Sequence, residues 1–207
     1  MKAWNVKAQK DVVAKTVQAL NANGFEARLV ASAEEAKKAV LEMVPAGAEV
    51  LTMTSITVDA MGLGKELNGS GRFDSVRTTL TKMDPKTQVR EQRKLGAAPD
   101  VTVGSAHAVT ETGSVIIASL TGSQLPAYAY AGGTVIWVVG TQKIVKNVEE
   151  GLKRIDEYLI DKESERARAA YGLPAEFRTF PSKVLIVNKE IQPGRIKIIL
   201  VDEVVGH

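Results

Sequence analysis

Thr134-Val-Ile-Trp-Val-Val139 and Ile196-Lys-Ile-Ile-Leu-Val201 are nearly unbroken apolar runs of strand length. A strand with one wet face alternates polar and apolar residues, so runs without alternation require burial on both faces, as in a parallel sheet covered by helices. Shorter strand-like runs lie outward from these two, at Phe25–Val30, Glu49–Met53, Phe73–Thr78, Val101–Val103, Val115–Ser119 and Val184–Val187. Helical patterns fall between them. Ala8, Val12, Val13, Val17 and Leu20 share one face over residues 7–22, and Gly24 stops that helix. Ser32 with Glu35, and Asn147 with Glu150, have the spacing of capping boxes. The first opens a helix with Ala36, Val40 and Leu41 inward, ended by Pro45 and Gly47; the second opens one whose apolar face is Val148, Leu152, Ile155 and Leu159. A further helix is expected over residues 56–67 and a solvated surface helix over Lys82–Lys94.

Strands alternating with helices over most of the chain predict a three-layer α/β/α domain with a mostly parallel sheet, in which Ala106–Ser119 and the C-terminal runs add antiparallel pairings. At 207 residues one domain is expected, spanning 1–207. Leu173–Ser182 is too short a linker to open a second.

Composition removes several chemistries. There is no cysteine, so disulfides, thiolate nucleophiles, Cys-type zinc sites and iron–sulfur clusters held by this chain are excluded. His107 and His207 are the only histidines, too few for a multi-histidine metal centre. The 27 basic and 24 acidic residues are interspersed, and the Lys82–Lys94 stretch lacks interleaved aromatics, so no nucleic-acid platform is expected. No apolar run approaches the roughly 18 to 20 residues that span a bilayer, and Met1–Lys10 has no signal-peptide apolar region. The expected location is the cytoplasm, without membrane insertion. G-x-G-x-x-G, Walker A, G-x-S-x-G and H-E-x-x-H patterns are all missing.

Ligands of open α/β sheets bind beyond the carboxyl ends of the strands. The residues found there are Thr54 and Ser55 after the second strand, Gly104, Ser105 and His107 after Val103, and Gly140, Thr141, Gln142 and Lys143 after Val139. Hydroxyls, glycine N–H groups and a lysine suit an anion, phosphate or carboxylate, although loops carry such residues for turn geometry as well. Thr110-Glu111-Thr112-Gly113-Ser114 reads either as a hairpin with a solvated carboxylate or as a turn presenting Glu111 as general base, nucleophile or hydrogen-bond acceptor. Gly122-Ser123-Gln124-Leu125-Pro126 reads as a cradle at a helix start or, more plainly, as Ser123 capping that helix. His107 is an acid, a base or a structural side chain. The expected pocket is where the three strand-end loops meet the Glu111 turn.

Three of these segments, in order and spacing, resemble the LUD-domain family, the lactate-utilization LutC/YkgG group: Gly104-Ser-Ala-His-Ala-Val-Thr-Glu-Thr-Gly113, Gly122-Ser-Gln-Leu-Pro126 and Val138-Val-Gly-Thr-Gln-Lys-Ile-Val145. Glu163–Gly172 and Gly194–Glu203 extend the likeness over most of the chain. The resemblance implies a NagB/RpiA/CoA-transferase-like fold and a role in oxidising L-lactate to pyruvate beside an iron–sulfur oxidoreductase subunit. A chain without cysteine fits a subunit that leaves the clusters to that partner. The implied ligand is a small anionic metabolite, and self-association is a further option. Ala106 stands where members of the group often carry Asn or Asp, which argues against an isomerase. Two alternatives stay open: an acyl- or phosphoryl-group transferase or ligase of the CoA-transferase or 5-formyltetrahydrofolate cyclo-ligase type, with Glu111 and Lys143 as its working groups, and a non-catalytic interaction subunit.

Overall fold

The computed structural model describes residues 3–207. Its centre is a six-stranded, wholly parallel sheet in the order β1 (Glu26–Val30), β10 (Ile196–Val201), β7 (Thr134–Gly140), β4 (Val101–Gly104), β2 (Glu49–Thr52), β3 (Asp74–Ser75). The two apolar runs lie side by side, Ile196 beside Val135 through Val201 beside Gly140. Their side chains divide between two cores, as the period of two requires. Ile136, Val138, Ile199 and Val201 face helices α2 (Ala33–Met43), α3 (Ile56–Ala60) and α4 (Leu63–Gly69). Val135, Trp137, Val139, Ile198 and Leu200 face α1 (Lys10–Ala22) and a second sheet.

That second sheet has the order β8 (Ile144–Val145), β5 (Ala108–Thr110), β6 (Val115–Ser119), β9 (Lys183–Val187), with β5–β6 and β6–β9 antiparallel. Alternate residues again separate: Val109, Val115 and Ile117 pack on the central sheet, while Ala108 and Ile116 meet Ile155 and Leu159 on the outer side. Those belong to a long helical segment made of α7 (Val148–Arg154), a π-helical turn (Ile155–Leu159) and α8 (Ile160–Tyr171). The helix–sheet–helix arrangement is present, and the small sheet adds a further helical layer outside it. The antiparallel pairings expected in Ala106–Ser119 form, but of the C-terminal strands only β9 pairs that way; β10 is parallel on both sides.

Local departures from the sequence expectations have physical causes. Phe73–Thr78 contributes only the two-residue edge strand β3, because the Ser75 hydroxyl accepts from Thr78 N at 3.1 Å and starts helix α5 (Val76–Lys82). The helix over 56–67 is broken at Gly62, whose φ is +66°, into α3 and α4. Lys82–Lys94 is not one helix: it holds the end of α5, a turn at Asp84 and the start of α6 (Val89–Ala97). Both cap residues act as expected, Ser32 accepting from Glu35 N and Asn147 from Glu150 N, but each glutamate reaches back one residue further, to Ala31 N and Lys146 N. Ser123 does not cap the next helix; a π-helical turn, Ala127–Ala131, starts after Pro126. Of the apolar face expected after Asn147, Val148, Ile155 and Leu159 pack inward, but Leu152 is exposed and Arg154 is wholly buried.

Trp137→Ala, which empties the centre of β7 and removes the edge-to-face contact with Tyr128, should cost about 3–5 kcal/mol in urea unfolding. Leu152→Ala should cost less than ~0.5 kcal/mol. A comparable loss for both would refute the exposed position of Leu152.

Candidate functional site

The chain winds in opposite directions on either side of the β2–β4 pair: β2 leads through α3 and α4 to β3, and β4 leads through β5 and β6 to β7. Loops leaving two adjacent parallel strands in opposite senses open a crevice at their carboxyl ends. Thr54–Thr57 line one wall and Ser105–His107 the other. Gly104 ends β4 beneath the Tyr128 hydroxyl, in space that a Cβ would occupy.

Lys143 comes into this crevice from the third strand end. After β7 a single 3₁₀ turn, Thr141–Lys143, redirects the chain into β8, and the Lys143 side chain extends under the β4 loop. Its ammonium donates to Thr57 Oγ1 (2.9 Å), Ser105 Oγ (3.1 Å) and Ala106 O (3.3 Å). None of these is an anion. Burial lowers the Lys143 pKa to about 7, and the nearby Arg154 guanidinium adds to the effect.

Arg154 is a second buried cation. Its Nη1 donates to His107 O at 2.6 Å and the guanidinium lies 5.3 Å from the Tyr158 ring centre, while Nε and Nη2 have no partner among the described residues. Burial brings its pKa down to about 10. Neither Lys143 nor Arg154 forms an ion pair among the described residues.

His107 is held by the small sheet. Its Nδ1 accepts from Ala118 N at 3.2 Å, which assigns the ring proton to Nε2. Loss of hydration, together with Lys143 and Arg154, depresses its pKa to about 3, so the ring is neutral in ordinary buffers and Nε2–H is a donor. The ring lines both of two adjoining chambers, an inner one of about 110 Å³ that contains Lys143 and an outer one of about 570 Å³.

Of the residues singled out in the sequence, Thr54, His107 and Gln124 line both chambers, Ser55, Ser105 and Lys143 the inner, and Ser123 the outer. Gly140 and Thr141 are buried beneath the site. The Thr110–Ser114 turn does not meet the strand-end loops. β5 starts at the crevice and runs away from it, so Glu111 is at the far end, its N–H bonded to Val145 O. Asn23 at the end of α1 donates to Thr112 O and Gly113 O. Thr110 Oγ1 accepts from Ser114 N and bonds to the Thr112 hydroxyl, and Ser114 Oγ donates to Asn188. Gly113 has φ +82°, and a Cβ there would overlap the Ala19 carbonyl, so the turn needs glycine for packing.

Sequence reasoning missed several site residues. Glu163, from α8, lines both chambers and is clasped by Arg166 at 2.6 and 2.7 Å. Arg77, from α5, donates to Thr52 O and Thr54 Oγ1 at the end of β2. Thr57 and His207 complete the inner chamber. The i,i+3 spacing of Glu163 and Arg166 was a readable signal; nothing local marked Arg77 or Arg154.

This geometry defines an α/β protein with a cationic crevice at the switch point of a parallel sheet. The chain belongs to the LUD-domain family, whose model matches residues 13–201. The crystal structure of a DUF162 family protein from Deinococcus radiodurans has the same fold, with a TM-score of 0.56 over 94% of this chain and 98% of that one at 14% identity. Ribose 5-phosphate isomerase from Plasmodium falciparum is a distant likeness, with a TM-score of 0.36 over 79% of each chain at 16% identity. No curated protein matches the sequence. Among the described residues no helix is long and apolar enough to cross a membrane, and no cluster of three metal-ligating side chains occurs.

The depressed Lys143 pKa makes a testable link to stability. Between about 7 and the ordinary 10.5 the unfolded chain holds a proton that the folded chain does not, so stability rises with pH across that window. Below it, the cost of burying the ammonium is present in full. Lys143→Met should therefore be most stabilising, relative to wild type, near pH 7 and lose that advantage toward about pH 10 in urea titrations. A difference that does not change with pH would place the folded-state pKa near its ordinary value.

Proposed function

We propose that the crevice binds the carboxylate of a small 2-hydroxy or 2-oxo acid, and that the protein is a LutC-like component of a cytoplasmic L-lactate utilization system. The observation that carries this is Lys143: among the described residues a buried ammonium bonded only to neutral groups, with Arg154 as a second buried cation that has no ion-pair partner there. Two buried cationic side chains without an ion pair among the described residues favour an anionic ligand, whose binding would hold the proton on Lys143 and offset the cost of burying the charge. Ser105 and Thr57 accept from the ammonium, and their own protons go to carbonyls at 3.3 Å, long bonds that a carboxylate would replace. The neutral His107 Nε2–H is a donor for the oxygen on the adjacent carbon.

Oxidation of lactate to pyruvate releases two electrons. A chain without cysteine holds no thiolate-bound cluster to receive them, so in this reading they pass to an iron–sulfur oxidoreductase subunit. A second reading, acyl or phosphoryl transfer, is favoured by one observation: the Glu163 carboxylate lines both chambers and is oriented by Arg166. Glu163→Gln would then abolish turnover and spare lactate binding.

Calorimetric titration with lactate, pyruvate and propionate tests the main reading. Lys143→Met should weaken lactate and pyruvate by roughly 10- to 100-fold, the equivalent of ~1.5–3 kcal/mol for a charge-assisted hydrogen bond. Lys86→Met, at an exposed position, should change them by less than about twofold. Propionate, without the 2-hydroxyl, should bind more weakly than lactate. Equal effects of the two lysine substitutions would refute the site.

A further inference from the structure

We infer that the acid taken by this site carries an apolar substituent, an aryl or comparable alkyl group, that fills the outer chamber. This rests on Lys143 as the carboxylate site and adds the rest of the ligand. The inner chamber, at about 110 Å³, is equivalent to about four waters at ~30 Å³ each. It has room for a carboxylate and the atoms next to it. The outer chamber, at about 570 Å³, lies within the ~300–1,000 Å³ of ordinary small-molecule sites. A three-carbon acid leaves that space to water.

The two chambers form one site because Met53, His107, Gln124 and Glu163 line both. A ligand whose carboxylate reaches Lys143 passes His107 and enters the outer chamber with whatever its next carbon bears. The apolar part of its walls is formed by Leu120, Ile160, Leu173, Phe177 and Phe180, beside the hydroxyls of Ser119, Thr121, Ser123 and Thr179. The charged groups on these walls are already engaged, Glu163 with Arg166 and Arg77 with Thr52 O and Thr54 Oγ1. An apolar body meets apolar walls without stranding a charge.

The roof is anchored to the rest of the protein. Phe177 O accepts from Arg168 Nη1 at 2.7 Å, Thr179 N donates to Ser164 Oγ at 3.0 Å, and Ser182 Oγ donates to Leu120 O. These bonds hold the residue 173–181 segment over the chamber. Phe180 and Leu120 nevertheless remain 59% and 40% exposed, apolar surface that a ligand's body would cover.

Calorimetry with lactate and 3-phenyllactate, which share a head and differ by a phenyl group, reads this directly. Wild type should bind 3-phenyllactate at least tenfold more tightly than lactate. Phe177→Ala and Phe180→Ala, at partly exposed positions that leave the core intact, should each reduce that ratio at least threefold while lactate affinity stays within twofold. Lys143→Met should weaken both acids alike. Equal wild-type affinities would overturn the inference and leave the carboxylate site standing. A preference for 3-phenyllactate that survives both phenylalanine substitutions would also overturn it, by putting the ring elsewhere. Binding of neither acid would overturn the carboxylate reading and this inference together.

Discussion

One ammonium holds three strand ends together. Lys143, delivered by the turn after β7, bonds to Thr57 beyond β2 and to Ser105 and Ala106 beyond β4. Those segments leave adjacent strands in opposite directions, and without a common partner their polar groups would face a cleft with little to fix its width. A charge-assisted bond is roughly twice as strong as a neutral one, so a single side chain sets the geometry of both walls. Because the bond is made by a charge kept from water, the arrangement is strained electrostatically for the same reason that it is rigid mechanically.

Arg154 extends this logic outward. It cannot lose its proton at neutral pH, and among the described residues only one of its nitrogens has an acceptor, the backbone carbonyl of His107. The ring of His107 is bonded on its other side to Ala118 N. The imidazole is thus fixed at the backbone and at Nδ1, and burial, with the two cations adding to it, keeps it neutral.

Much of this was legible from the residues alone, and the part that was not has a common cause. Unbroken apolar runs gave the central strands because burial on two faces leaves no place for polar residues. The strand-end loops gave Lys143, Ser105, His107 and Thr54 because parallel topology puts all carboxyl ends on one side. Glu111 looked chemical, yet its setting is mechanical: the turn is seated on the end of α1 by Asn23, a contact between residues about ninety positions apart. Arg154 carried no local signal of its role. Counting along the helix put Val148, Ile155 and Leu159 on the inward face, where they pack, and only Leu152 falls outside it. Arg77, Glu163 and the roof enter the site through tertiary packing, which no local pattern encodes.

The central sheet also fixes an order of events during synthesis. β1, at the edge, hydrogen-bonds to no strand but β10, and Glu26 pairs with Lys197, 171 positions later. As the chain leaves the ribosome, α1 and β1 emerge well before β10, and β1 finds its sheet partner only after the elements between them have been translated. The strands β2, β3, β4 and β7 meanwhile form a contiguous set that can assemble ahead of them. β7 then waits with one edge open, and the arrival of β10 closes the gap between the oldest strand and the rest. A contact of such long sequence separation makes folding slow, and until β10 docks, the β7 edge is where a nascent chain is most exposed to mispairing.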